Sequence, residues 1–260
     1  MTGLGYRREM ADWDMSAVDA DFFEVAPENW LRRDRAPLHA LRASGRAVHL
    51  HGVTLNLGGQ SAPDPAYLAA LRSLLDELET ERCSDHLAAS GDTHQLHDLF
   101  PVPFTEAEVQ RVADRISRVQ DALGRRIAVE NTTWYTNTGD LPEPVFLMAV
   151  AERADCHILL DLNNIDVNHK NHGRSPLPDF LAAIDFRRVA YLHVAGHEFD
   201  ARFGLHVDTH SQPVEPPTAA MARRLQQAHD IPILLEWDND LPPLPEPQRN
   251  PTPPSSSCSV

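Results

Sequence analysis

Residues 105–131 read TEAEVQRVADRISRVQDALGRRIAVEN, a helical repeat followed directly by a short apolar run. Thr105 and Glu108 form a capping box, and Val109, Val112, Ile116, Val119 and Leu123 recur at intervals of three and four on one face. Gly124 stands where a helix ends in a left-handed residue. Ile127–Glu130 is then too short for a helix and closes on a carboxylate, as a buried parallel strand does when it runs out towards solvent.

The same alternation extends in both directions. Residues 65–78 predict a second helix, with Asp64 as N-cap, Pro65 in the first turn and Leu68, Leu71, Leu74, Leu75 and Leu78 on one face. Further helices are expected over 35–44, 143–152, 177–185 and 217–229. The strand-like runs are Gly3–Tyr6, Phe22–Ala26, Ala47–His51, Arg82–His86, Ile127–Glu130, Ile158–Asp161, Val189–Val194 and Ile231–Glu236. Strands alternating with helices are βαβ units. Eight of them in 260 residues match one (β/α)₈ TIM-type barrel of ~250 residues. An open doubly wound sheet is the competing topology, but no glycine-rich phosphate loop follows an early strand. The barrel is assigned to residues 1–240. Residues 241–260 hold seven of the 21 prolines, so a proline-rich, disordered or polyproline-like tail is expected there. The helix that would close the ring after strand eight is missing from the pattern.

Composition removes several function classes. The net charge is −15 and the longest basic cluster is Arg32–Arg33 with Arg35, which gives no phosphate-binding face and argues against a nucleic-acid partner. No apolar run approaches the ~20 residues that span a bilayer, and no secretory signal is visible, so no membrane and a cytoplasmic location are expected. Cys83, Cys156 and Cys258 show no paired spacing, hence neither a disulfide framework nor a thiolate zinc site.

The 14 histidines direct attention to the strand ends, where such barrels keep their chemistry. Those ends carry Glu24 with Glu28 and Asn29, His49 with His51, Asp85 with His86, Glu130 with Asn131, Asp161 with Asn163 and Asn164, His193 with His197, and Glu236 with Asp238. The loop after strand seven adds His206, Asp208 and His210. Any one of these is an ordinary hydrogen-bonded polar residue, and a lone strand-end histidine is more often that than a ligand. A ring of them is different, because buried carboxylates need a compensating cation. Imidazole and carboxylate without thiolate suit iron, manganese or zinc. His94, His97 and Asp98 read as a loop cluster, His157 as a structural residue at the barrel bottom, and His169 and His172 as loop residues after strand six. Trp30, Trp134, Tyr135 and Trp237 either wall the pocket or pack in the core.

Gly3-Leu4-Gly5-Tyr6-Arg7, Glu24-x-x-x-Glu28-Asn29, His51-Gly52-Val53, Ser84-Asp85-His86-Leu87, Glu130-Asn131, Leu160-Asp161-x-Asn163-Asn164, His193-x-x-Gly196-His197, Asp208-Thr209-His210 and Glu236-Trp237-Asp238 occur in this order. The series resembles the multinuclear non-heme iron-dependent oxidases, the family of the methanobactin-biosynthesis oxidase. The resemblance implies two or three iron ions, dioxygen as co-substrate, and a ribosomally made precursor peptide oxidised at cysteine or another residue. It also implies a small partner protein that presents the peptide. Carried over by position, the implied metal ligands are His51, His86, Glu130, Asp161, Asn163, His193, Asp208, His210 and Glu236. The chain departs from the family at Asp85, where Glu is common, and in its proline-rich C-terminus. The competing readings are a divalent-metal isomerase or phosphodiesterase on a related barrel, and an inactive metal-binding scaffold.

Overall fold

In a computed structural model, residues 1–10, 13–80, 82–92, 98–136 and 139–241 are described. His94, His97, Cys258 and the proline-rich tail expected over 241–260, apart from Leu241, lie outside the described residues.

The capping box forms as expected, with Glu108 N donating to Thr105 Oγ1 at 3.3 Å, and Gly124 ends the helix at φ 68°. Val112, Ile116, Val119 and Leu123 are fully buried on one face of it. Around this unit the strands are β1 (Thr2–Gly5), β2 (Phe22–Val25), β3 (Ala47–Gly52), β4 (Cys83–His86), β5 (Ala128–Glu130), β6 (His157–Asp161), β7 (Val189–Val194) and β8 (Ile233–Leu235). Each pairs in parallel with the next and β8 pairs with β1, so the barrel closes. Seven helices are described: α1 (Ala36–Ala43), α2 (Pro65–Glu77), α3 (Glu106–Leu123), α4 (Glu143–Ala154), α5 (Leu162–His172), α6 (Leu177–Ala182) and α7 (Pro216–His229).

The apolar residues occupy two layers. Leu71, Leu74 and Leu75 of α2, Val112 and Ile116 of α3, and Phe146 and Val150 of α4 fill the space between helices and strands. Each contributes roughly 1.5–3 kcal/mol of burial. A second cluster of Phe22, Ala128, Leu159, Tyr191 and Leu234 lies on alternate positions of the strands, inside the barrel, and forms a floor beneath the strand ends.

Two features differ from the sequence reading. Residues 162–172 form a helix rather than a loop: Asp161 ends β6 and caps α5, accepting from Asn164 N at 2.7 Å. Asp161 and Asn163 therefore do not share a strand face, and His169 and His172 sit on the last helical turn. Two small hairpins also stand beyond the strands, Ala88–Ala89 with Phe100–Pro101 after β4 and Glu198–Asp200 with Leu205–Val207 after β7. Among the described residues no helix follows β8, and Leu241 rests against the apolar core. No helix among them is long and apolar enough to cross a membrane.

Candidate metal centre

His51, His86, Glu130, Asp161 and His193 are the last or last-but-one residues of five consecutive strands, and Glu236 follows β8 directly. The barrel register sets His86 beside Glu130 and Asp161 beside His193. His51 Nε2, His86 Nε2 and Glu130 Oε2 form a nearly equilateral triangle, with sides of 3.3, 3.1 and 3.2 Å. Donor atoms around one ion at ~2.1 Å stand roughly 3.0–3.4 Å apart, so the spacing is that of a shared cation. The carboxylate oxygen of Glu130 is buried and makes no hydrogen bond.

The outer nitrogens of the two imidazoles are held in ways that free the inner ones. His86 Nδ1 donates to Gly52 O at 3.0 Å, leaving the Nε2 lone pair inward. His51 Nδ1 lies 2.9 Å from Ser84 Oγ, which lies 2.6 Å from the Tyr191 hydroxyl. That hydroxyl donates to Glu24 Oε2 at 2.5 Å. Since the tyrosine proton is spent on Glu24, Ser84 donates to Tyr191 and accepts from His51 Nδ1–H. In their neutral form both histidines thus present Nε2 as an acceptor, the arrangement that outer hydrogen bonds impose on metal-ligating imidazoles.

Glu130 also serves a second group. Its Oε1 lies 3.5 Å from His193 Nδ1, which is 3.1 Å from Glu236 Oε2 and 3.9 Å from Asp161 Oδ2. His193 Nδ1 and Asp161 Oδ2 are buried without a hydrogen bond. Behind them, Glu24 Oε1 faces His193 Nε2 at 2.9 Å, and Arg7 Nη2 holds Glu236 Oε1 at 2.9 Å. The third group surrounds His210. Its Nδ1 bonds Asp238 Oδ2 at 3.0 Å and lies 3.5 Å from Glu236 Oε2. Its Nε2 is 2.8 Å from Asp208 Oδ1 yet makes no hydrogen bond. His51, His86, Glu130, Asp208, His210, Glu236 and Asp238 border a cavity of about 730 Å³ that opens at the C-terminal end of the barrel.

Charge inside this ring is unbalanced. Glu24, Glu130, Asp161 and Glu236 are 1, 1, 0 and 7% exposed. Burial works against ionising Glu130, but His86 and His51 hold it well below the usual carboxylate range. Asp161 is pushed well above that range by burial and by Glu130 and Asp208. Burial also opposes charging His51, yet Glu130 and Glu24 carry it up to about 9. His193 and His210 are likewise raised against burial by their facing carboxylates, while burial and His51 lower His86. Protons on imidazoles are one way to neutralise these acids. Divalent cations are the other, and only they use the unbonded lone pairs.

Most strand-end residues named from sequence meet here, and several take other roles. His49 sits below the ring, stacked on Phe22 at 4.4 Å, and burial lowers it to about 4. Asp85 accepts from Leu55 N and His86 N, and burial with Glu28 brings it up to about 7. Asn163 turns its amide nitrogen to Asp208 Oδ1 at 2.6 Å. His169 is occupied by Arg174 O, and His172 stacks on Trp134 at 4.0 Å. Trp30 and Trp134 belong to the core, whereas Tyr135, 46% exposed, stands at the cavity mouth. Sequence reasoning gave no role to Arg7, Ser84 or Tyr191, although Arg7 and Ser84 fall within the quoted motif series.

Residues 1–250 match the family model described as RiPP precursor modification enzyme MbnB/TglH/ChrH. A UPF0276 protein of Pseudomonas aeruginosa is 41% identical over 251 residues, covering 94% of this chain and 87% of its own. One from Neisseria gonorrhoeae is 41% identical over 256 residues, covering 94% and 90%. Among solved structures, D-psicose 3-epimerase from Clostridium cellulolyticum with D-tagatose superposes with a TM-score of 0.62 at 11% identity, covering 94% of this chain and 87% of that one. At that identity the likeness concerns the barrel alone.

Proposed function

The chain belongs to the family of RiPP precursor modification enzymes MbnB/TglH/ChrH, and we propose that it is an iron- and dioxygen-dependent oxidase acting on a residue, often cysteine, of a ribosomally made precursor peptide. The observation that carries the metal part is Glu130, whose two oxygens face two separate groups of converging, unbonded donors. In this reading His51, His86 and Glu130 hold one ion, and Glu130, Asp161, His193 and Glu236 hold a second. His210, with Glu236 and Asp208 or Asp238, holds a third. Asn163 stands behind Asp208 rather than among the ligands.

Bound iron supplies the one-electron redox chemistry that reaction with dioxygen requires. The chain's own residues do the rest. Ser84, Tyr191 and Glu24 keep His51 Nδ1 protonated and its Nε2 directed inward. Arg7 holds one oxygen of Glu236 and leaves the other to the site. The apolar floor of Phe22, Leu159 and Leu234 excludes water from below. The cavity admits a peptide side chain with its flanking backbone, and Val53 and Tyr135 at its mouth offer apolar contact. A small peptide-presenting partner protein and a cytoplasmic location complete the proposal.

Protein purified without oxygen and reloaded with iron(II), then mixed with a precursor peptide, any partner protein and dioxygen, is expected to change the peptide mass only when iron and oxygen are both present. Two or more irons per chain are expected. A peptide left unmodified with every component supplied, or a chain that retains at most one ion, overturns the reading. Either result favours a metal isomerase or a scaffold.

A further inference from the structure

A fourth cluster of metal-type side chains lies to one side of the ring. Asp166 and Lys170 are one turn apart on α5, His197 follows β7, and Glu215 caps α7. Asp166, His197 and Glu215 also converge closely enough to hold a cation. Their centre is filled by the chain itself. Lys170 Nζ lies 2.8 Å from Asp166 Oδ2, 2.6 Å from Glu215 Oε1 and 3.0 Å from His197 Nε2. An ammonium has three protons and no lone pair, so at the Lys170–His197 contact Nζ is the donor and His197 Nε2 must be bare. The neutral imidazole then carries its proton on Nδ1, 2.8 Å from Asn163 Oδ1.

The amide passes this polarity on. With its oxygen taken by His197, Asn163 directs Nδ2 to Asp208 Oδ1 at 2.6 Å, and that oxygen faces His210 Nε2 at 2.8 Å. A reversed amide would set oxygen against the Asp208 carboxylate. The His197 side chain is 3% exposed and Lys170 is 25% exposed, so water does not replace the imidazole in this chain.

We propose that Lys170 and His197 are positioning residues for the His210 end of the site: the donor-only ammonium fixes the imidazole tautomer, the tautomer fixes the Asn163 amide, and the amide fixes Asp208. The proposal rests on the reading of Asp208 and His210 as metal ligands. The fourth cluster is accordingly a cation site already supplied with its cation, and the metal ions belong to the other three groups.

The test has two arms. In metal-free protein, long-range ¹⁵N NMR of the imidazoles should find His197 as the Nδ1–H tautomer. Lys170→Met should convert it to Nε2–H, because Asp166 and Glu215 would then face Nε2 as acceptors only. In the second arm, zinc(II) titration of the His197→Leu variant should show one site weakened ~10–100-fold, as for other outer partners of ligands, with the remaining sites unchanged. Thermal melts confirm that both variants fold. An Nε2–H tautomer in the wild type, or no change of tautomer in Lys170→Met, overturns the proposal. So does a His197→Leu variant that binds zinc at every site as the wild type does. A wild type that binds no metal at all overturns the proposed function instead, and the NMR arm still tests whether Lys170 sets the tautomer.

Discussion

Glu130→Gln keeps the volume of the side chain and removes its charge, and its consequences can be worked out for two states of the protein. In the metal-free state Glu130 is the largest influence raising His51 against the burial that would lower it. A group carried from 6.5 to about 9 on folding contributes stability that is fully present below pH 6.5 and lost as pH climbs through 9. At 1.36 kcal/mol per pH unit the contribution is about 3 kcal/mol. The wild type should therefore exceed Glu130→Gln in melting temperature by roughly 6–12 °C near pH 6.5, at about 2–4 °C per kcal/mol, and the difference should close towards pH 9. In the loaded state the same substitution replaces one of the two oxygens by an amide nitrogen and removes the negative charge that both groups share, so two ions should be affected together. Calorimetry of chelator-treated protein from pH 6.5 to 9 reads the first effect, and elemental analysis of protein loaded without oxygen reads the second. A stability difference that persists unchanged at pH 9, or a variant that keeps its full complement of ions, would refute the shared role of Glu130.

Other expectations follow from the same geometry. Arg7→Met leaves Glu236 Oε1 and Asp238 Oδ1 without the guanidinium that holds them; at roughly 1.5–3 kcal/mol for a charged hydrogen bond, the metal-free variant should melt lower. Zinc(II) should narrow that gap by neutralising Glu236, and an undiminished gap would count against Glu236 as a ligand. Metal binding at pH 7 should release protons, since His51, His193 and His210 are all raised and face the incoming ions, and affinity should rise with pH; a weakly buffered titration that shows no release contradicts this. Thr105→Ala removes the cap of α3 and should lower stability by about 1 kcal/mol with no change in metal content. His169→Ala, which loses only a bond to Arg174 O, should likewise leave metal content as it was.

The barrel was legible where one local signal governed a whole element. In α3 the cap, the apolar repeat and the terminal glycine agree with one another and with the observed helix. α5 was illegible for the opposite reason. Asn163, Asn164, Asn168 and Asn171 disfavour helix by offering side-chain bonds to the backbone, and here those bonds go elsewhere. Asn164 Nδ2 reaches Asn131 O and Asn168 Nδ2 reaches Thr132 O, each at 3.0 Å, while Asn168 Oδ1 accepts from Trp134 N at 2.9 Å. These asparagines tie the chain after β5 to the helix, so tertiary contacts override propensity. The site divides similarly. His51, His86, Glu130, Asp161, His193 and Glu236 could be named because a strand end is a position that sequence shows. Arg7 could not, because its role depends on Glu236, 229 residues away, and a pairing at that distance leaves no mark in either local pattern.

Tyr191 shows why floor and ring have to be considered together. Its ring is part of the apolar layer with Phe22, Leu159 and Leu234, and stands edge-on to both His49 and His193. Its hydroxyl leaves that layer to meet Glu24 and Ser84. Burial and Glu24 raise the phenol well above its ordinary range, so it keeps its proton at neutral pH and, by donating to Glu24, sets the direction of the chain from His51 through Ser84. The floor thus has two effects on the same donors. It withholds water from Glu130 and Asp161, which makes an uncompensated charge there expensive, and through one hydroxyl it orients the imidazole nearest Glu130 to accept a cation. An apolar residue at position 191 would keep the first effect and lose the second, leaving His51 free to adopt the tautomer that turns a proton towards the ring.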